Sequence, residues 1–85
     1  MRLVKEKVKR YKKLKNKEFP SVEEEKFIHH FERTLKHLNE FDRNFFHKVY
    51  LFEENEDWWK KYYTRMTYYR MRETVARKFL DKFGL

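Results

Sequence analysis

Apolar residues recur at spacings of three and four along most of the chain, the signature of one buried helix face. Val4, Val8, Tyr11 and Leu14 form such a stripe from Met1 to about Lys17, among residues that are almost all Lys or Arg. Pro20 cannot continue a helix and restricts Phe19, so this first helix must end ahead of residues 16–20. Ser21 followed by Glu24 is a capping box, in which hydroxyl and carboxylate satisfy free amides of a new first turn. Glu23, Glu24 and Glu25 also complement the positive end of that helix. The second helix is expected to bury Phe27, Ile28, Phe31, Leu35 and Leu38. Asn39, followed by Asp42, marks the next start. A third helix from Glu40 to about Phe52 is expected to bury Phe41, Phe45, Val49 and Phe52, with Phe46 as a further member. After the acidic break at 53–57, Asn55 is expected to cap a short fourth helix, roughly Glu56 to Tyr62, carrying Trp58, Trp59 and Tyr62. Thr64 then caps a long fifth helix from Arg65 to Phe83, stopped at Gly84. Its inner stripe is Tyr68, Met71, Val75 and Phe79, joined by Ala76 and Leu80.

The expected fold is therefore all-α with about five helices. Residues 1–37 form an N-terminal helical pair and residues 38–85 a helix-turn-helix module with a long last helix. At 85 residues the chain holds a single domain. With one Gly and one Pro it lacks the turn punctuation of an all-β protein. A chain this short buries little surface, but nine Phe, six Tyr and two Trp supply a core of large side chains.

Several chemistries are not expected. Without cysteine there is no disulfide, no zinc finger and no thiol nucleophile. His29, His30, His37 and His47 lack the spacing of a metal site. The cluster Glu53, Glu54, Glu56 and Asp57 reads as a solvated acidic loop rather than a magnesium site. There is no Gly-rich phosphate loop and no nucleophile elbow, and the one serine is a helix cap. The expectation is a non-enzyme with no cofactor and no metal. No apolar run approaches the roughly 18 residues of a membrane span, and the basic N-terminus has no apolar signal region. A cytoplasmic protein with no membrane partner is expected.

Charge is strongly polarised. Residues 1–17 carry nine Lys or Arg against Glu6, residues 18–57 five against eleven acidic groups, and residues 58–85 eight against two, within a formal net charge of +8. Such a balance suits a polyanionic partner. The first helix has four readings: packing across the second with its lysines in water, an arm along DNA, pairing with another chain, or lying on an anionic membrane. Its valine stripe is a poor membrane anchor.

The last three predicted helices have the layout of a helix-turn-helix, whose final helix presents its N-terminal residues to the major groove. Those residues are Arg65, Met66, Thr67, Tyr69 and Arg70, with Glu73 beyond them. Arg reads guanine bidentately, and Tyr or Thr donates to phosphate. Arg72, Arg77, Lys78, Lys60 and Lys61 are expected to contact phosphates, positioning the protein without reading sequence. The plainer reading of such a face is solvated charge. Net charge and helix layout together favour duplex DNA. Trp58 and Trp59 are adjacent and cannot share a helix face, so one is expected in the core and the other at a protein interface, with core the plainer reading for each taken singly.

Three stretches resemble a known family: Arg43-Asn44-Phe45-Phe46 through Tyr50, Thr64-Arg65-Met66-Thr67-Tyr68-Tyr69-Arg70-Met71-Arg72, and Phe79-Leu80-Asp81-Lys82-Phe83-Gly84. They look like phage late-transcription regulators of the ArpU/RinA type, which in turn resemble region 4 of sigma-70 factors. Thr64, Thr67, Tyr68, Tyr69, Arg70 and Arg72 match the family pattern, and the resemblance spans roughly residues 38–85. It implies a bacterial host cell and activation of phage genes through contact with RNA polymerase. Trp58-Trp59 departs from the pattern, which has a less bulky helix there. Two functions follow as expectations. One is a DNA-binding transcription regulator of phage or mobile-element genes, able to dimerise on a palindromic operator. The alternative is a sigma-like interaction module that binds a phage late regulator or RNA polymerase and modulates it.

Overall fold

The computed structural model describes residues 2–52 and 57–84, and these are helical throughout apart from short connections, with no strand among them. Among the described residues there are four α-helices: α1 (Arg2–Lys15), α2 (Val22–His37), α3 (Glu40–Phe46) and α4 (Arg65–Phe83). A π-helical turn, His47–Leu51, continues α3, and a 3-10 turn, Trp58–Lys61, precedes α4. No described helix is long and apolar enough to cross a membrane.

The helix ends follow from local chemistry. Ser21 and Glu24 form both halves of the capping box at the start of α2. Asn39 caps α3 by accepting from the Asp42 amide at 2.7 Å. Thr64 caps α4 by accepting from the Thr67 amide at 3.2 Å. At the far end Gly84 takes φ 96°, the left-handed conformation that stops a helix with little strain only at glycine.

α4 packs against α1, α2 and α3 around one apolar core. Phe31, Phe46 and Phe79 are its centre, all fully buried. Their rings meet at 4.9 Å between Phe31 and Phe79 and at 4.7 Å between Phe46 and Phe79, within the range of favourable aromatic pairs. α1 lies across α2 rather than standing free. Tyr11 stacks on Phe31 at 4.2 Å and donates to Glu32 at 2.7 Å, while Lys15 binds the same carboxylate oxygen. The bonds from Lys15 and Tyr11 hold the Glu32 carboxyl below its ordinary range. Arg10 and Lys7 lay their charged ends over Phe27 and Phe83. From the middle of α2, His30 Nε2 stands 2.6 Å from the Phe83 carbonyl. A carbonyl can only accept, so this nitrogen carries the proton and caps the last turn of α4.

Three expectations need correction. Phe41 and Phe52 are exposed by 55% and 61%, whereas Phe46 and Tyr50 are buried. The Phe52 amide bonds to the His47 carbonyl five residues back, so the turn is wider than an α-turn and Phe52 leaves the buried side, while Phe46 and Tyr50, four residues apart, keep the stripe. The fourth element is a 3-10 turn over Trp58–Lys61 rather than a helix over 56–62, and Tyr62 is largely exposed. Asn55, its expected cap, lies outside the described residues. Lys78 is engaged inside the fold. Its Nζ binds the buried carboxylate of Asp42 at 3.0 Å, tying α3 to α4.

Candidate nucleic-acid interface

The inner side of α4 is fixed by burial of Tyr68, Val75, Ala76 and Phe79. At 3.6 residues per turn this places Met66, Arg70, Glu73 and Arg77 in one outward row, with Thr67 and Tyr69 beside it. Arg65, Met66, Thr67, Tyr69 and Arg70 are all exposed, Met66 by 72%. The Arg65 guanidinium stands 5.9 Å from the Tyr69 ring centre. The Thr64 hydroxyl donates to that of Thr67 at 2.9 Å, leaving the Thr67 proton directed elsewhere.

The residues expected to touch phosphate are arranged less uniformly. Lys61 is exposed. Lys60 pairs with Asp57 at 3.0 Å, and Arg77 with Glu73 at 2.6 Å. Both pairs are solvent-exposed and bind weakly enough to be exchanged for a phosphate. Arg72 is half-buried and faces away from the outer row, its guanidinium 5.5 Å from the Tyr50 ring centre.

Trp58 and Trp59 are both half-buried. Trp59 stacks on Tyr68 at 4.4 Å with nearly parallel rings, and Trp58 meets Phe45 and Tyr68 edge-on. The two indoles thus brace the start of α4 against α3 and also line an open cleft of about 680 Å³. Its other walls are Lys48 and Val49 from the π-turn and Arg65, Tyr69 and Arg72 from α4. At its edge Lys48 sits 5.2 Å above the Trp58 ring. Burial raises the phenol pKa of Tyr50, and that of Tyr68, above the ordinary value; the Arg72 guanidinium partly opposes both shifts. Both hydroxyls are therefore neutral donors at physiological pH.

Sequence reasoning missed Lys48 as a wall of this cleft and Tyr50 beneath Arg72. Neither residue type signals such a position without knowledge of what packs beside it. Among the described residues no group of three or more His, Asp or Glu is placed to hold a metal ion.

No protein-family model, curated protein or solved structure matches the chain. The functional reading therefore rests on the helix arrangement and on the chemistry of this surface.

Proposed function

We propose that the chain is a DNA-binding transcription regulator of phage or mobile-element genes that reads the major groove with the N-terminal turns of α4. The carrying observation is the exposed set Arg65, Met66, Thr67, Tyr69 and Arg70, mounted on a helix whose opposite side is locked in the core. A rigid helix presenting guanidinium and hydroxyl groups is the equipment of base-edge recognition. Lys60, Lys61 and Arg77 flank it and supply phosphate contacts, while Arg72 reaches a phosphate only from the cleft side. The resemblance to ArpU/RinA-type regulators and to sigma-70 region 4 belongs to the same proposal, as do RNA polymerase as partner, a dimer on a palindromic site and a bacterial cytoplasmic location.

Selection of binding sites from a random duplex pool tests this reading. Enrichment of a shared motif that Arg70→Ala fails to enrich is the expected result. A pool that stays random after repeated rounds overturns it.

A second reading has its own support. Phe52, Tyr62 and Met66 are among the most exposed large apolar side chains of the protein. They follow one another along the elements that frame the Trp58–Trp59 turn. Apolar groups left in water are characteristic of protein contact surfaces. Under this alternative the module binds RNA polymerase or a phage regulator, and Trp58→Ala or Met66→Ala abolishes capture of purified polymerase. Unchanged capture by both variants eliminates it.

A further inference from the structure

The cleft beside the start of α4 has a composition that folding alone does not require. Its volume, about 680 Å³, falls within the roughly 300–1,000 Å³ typical of small-molecule sites. Among the described residues Lys48, Lys60, Arg65 and Arg72 converge on it, with Asp57, which pairs with Lys60, as the acidic member of the lining. Cations gathered in one cleft repel each other, and a bound anion relieves that repulsion. Beneath Arg72 lies Tyr50, only 3% exposed, whose hydroxyl is within hydrogen-bonding reach of the guanidinium and steadies it at the cleft. The guanidinium of Arg72 thus stands on the cleft wall with donor nitrogens for acceptor oxygens. The remaining wall is aromatic, formed by Trp58, Trp59 and the half-exposed Tyr69, with the Trp59 and Tyr69 rings inclined at 60° to each other.

We propose that this cleft binds a nucleotide unit, its base set against the Trp59 and Tyr69 rings and its phosphate held by Arg72, Lys48 and Arg65. Aromatic side chains accept any base face, and guanidinium groups grip phosphate oxygens in pairs. The base must be unpaired, because a base inside a duplex has both faces covered by its neighbours. The ligand is thus a free nucleotide or one nucleotide of a single strand. The site shares Arg65 and Tyr69 with the face assigned to the duplex, but Lys48, Trp59 and Arg72 belong to the cleft and Arg70 does not, so the two sites can be tested apart.

Trp58 and Trp59 are the protein's two tryptophans, so intrinsic indole emission reports on the cleft directly. The probes are adenosine monophosphate, adenosine, inorganic phosphate and a short oligodeoxyadenylate, each titrated into the intact protein. Saturable quenching by the monophosphate or the oligonucleotide, far exceeding that by adenosine or phosphate, is expected. Tighter binding of the oligonucleotide than of the monophosphate identifies a single strand as the source; the reverse order identifies a free nucleotide. Lys48→Ala should weaken binding about tenfold and Tyr50→Phe about threefold or more, with helical content unchanged. Arg70→Ala, outside the cleft, should leave quenching intact even where it removes duplex binding, which separates the fate of this site from that of the duplex reading. Three results overturn the proposal: no saturable quenching by either nucleotide probe, quenching by phosphate equal to that by the monophosphate, or folded Lys48→Ala and Tyr50→Phe proteins that bind as tightly as the parent.

Discussion

Phe46 and Phe41 lie five residues apart on neighbouring helical turns, and the structure gives them opposite fates. Phe46 is fully buried, packed on Phe79 at 4.7 Å, Tyr50 at 4.9 Å and Phe31 at 6.3 Å. Phe41 is 55% exposed and meets one ring, Phe45, at 6.3 Å. Truncating a buried Phe to Ala loses the transfer energy of the ring and leaves a cavity, about 3–5 kcal/mol together. The whole fold is worth about 4–13 kcal/mol at the usual ~0.05–0.15 kcal/mol per residue. Phe46→Ala should therefore remove a large share of the stability, and Phe41→Ala less than about 1 kcal/mol. Urea unfolding followed by far-UV circular dichroism measures both. With a slope near 1 kcal/mol per molar for a chain of this size, Phe46→Ala lowers the midpoint by about 3 M or more. Phe41→Ala moves it by less than about 1 M. If Phe46→Ala does not fold, the milder Phe46→Leu preserves the contrast at about 1–2 kcal/mol. Equal midpoints for the two positions, or a larger loss at Phe41, refute the packing described here and restore the regular α-helical stripe.

Two further outcomes concern charge. Lys78→Ala leaves Asp42 buried without its partner and should cost about 1–3 kcal/mol in urea unfolding, less than a fully buried pair because Lys78 is half-exposed; its effect on the salt dependence of duplex binding should be smaller than that of Lys61→Ala, and the reverse order contradicts the assignment of Lys78 to the fold. Glu24 has its carboxyl pKa lowered from 4.5 to about 2, first by the Ser21 amide and then by Lys17. A depressed folded pKa means stability that is present above pH 4.5 and lost as the pH falls towards 2. Glu24→Gln should flatten the stability profile in that window, and an unchanged acid profile excludes the capping-box carboxylate as a contributor.

The helix boundaries were legible in the sequence because each rests on local chemistry. Ser21 with Glu24, Asn39, Thr64 and Gly84 act within one turn of themselves, and no distant residue can override them easily. The stripes of α1, α2 and α4 were legible for a related reason, since Val4 to Leu14, Ile28 to Leu38 and Tyr68 to Phe79 keep one period throughout. The third stripe was not. Phe41, Phe45, Phe46 and Phe52 all offer apolar faces, and tertiary partners select among them: Phe46 packs on Phe31 and Phe79, and Phe45 on Trp58 and Tyr68. Those partners are far away in sequence. The cleft was hidden for the same reason, because Lys48 meets Trp58, and Tyr50 meets Arg72, only in the folded chain. Lys78 looked like a phosphate contact for want of any sign that Asp42, 36 residues earlier, would be buried beside it. The outward row of α4 was legible as a face; that the face reads DNA rests on the chemistry of Arg65, Tyr69 and Arg70.

The most direct test of that reading is fluorescence anisotropy on a labelled duplex recovered from site selection, titrated at several salt concentrations beside a scrambled duplex. The parent protein should prefer the selected duplex, with a salt slope near −0.9 for each phosphate contact. Arg65→Ala with Arg70→Ala should abolish the preference, at about 1–3 kcal/mol for each guanidinium withdrawn from a base edge, while the helical spectrum stays intact. Equal binding to both duplexes, or a folded double variant that still discriminates between them, contradicts major-groove recognition by α4.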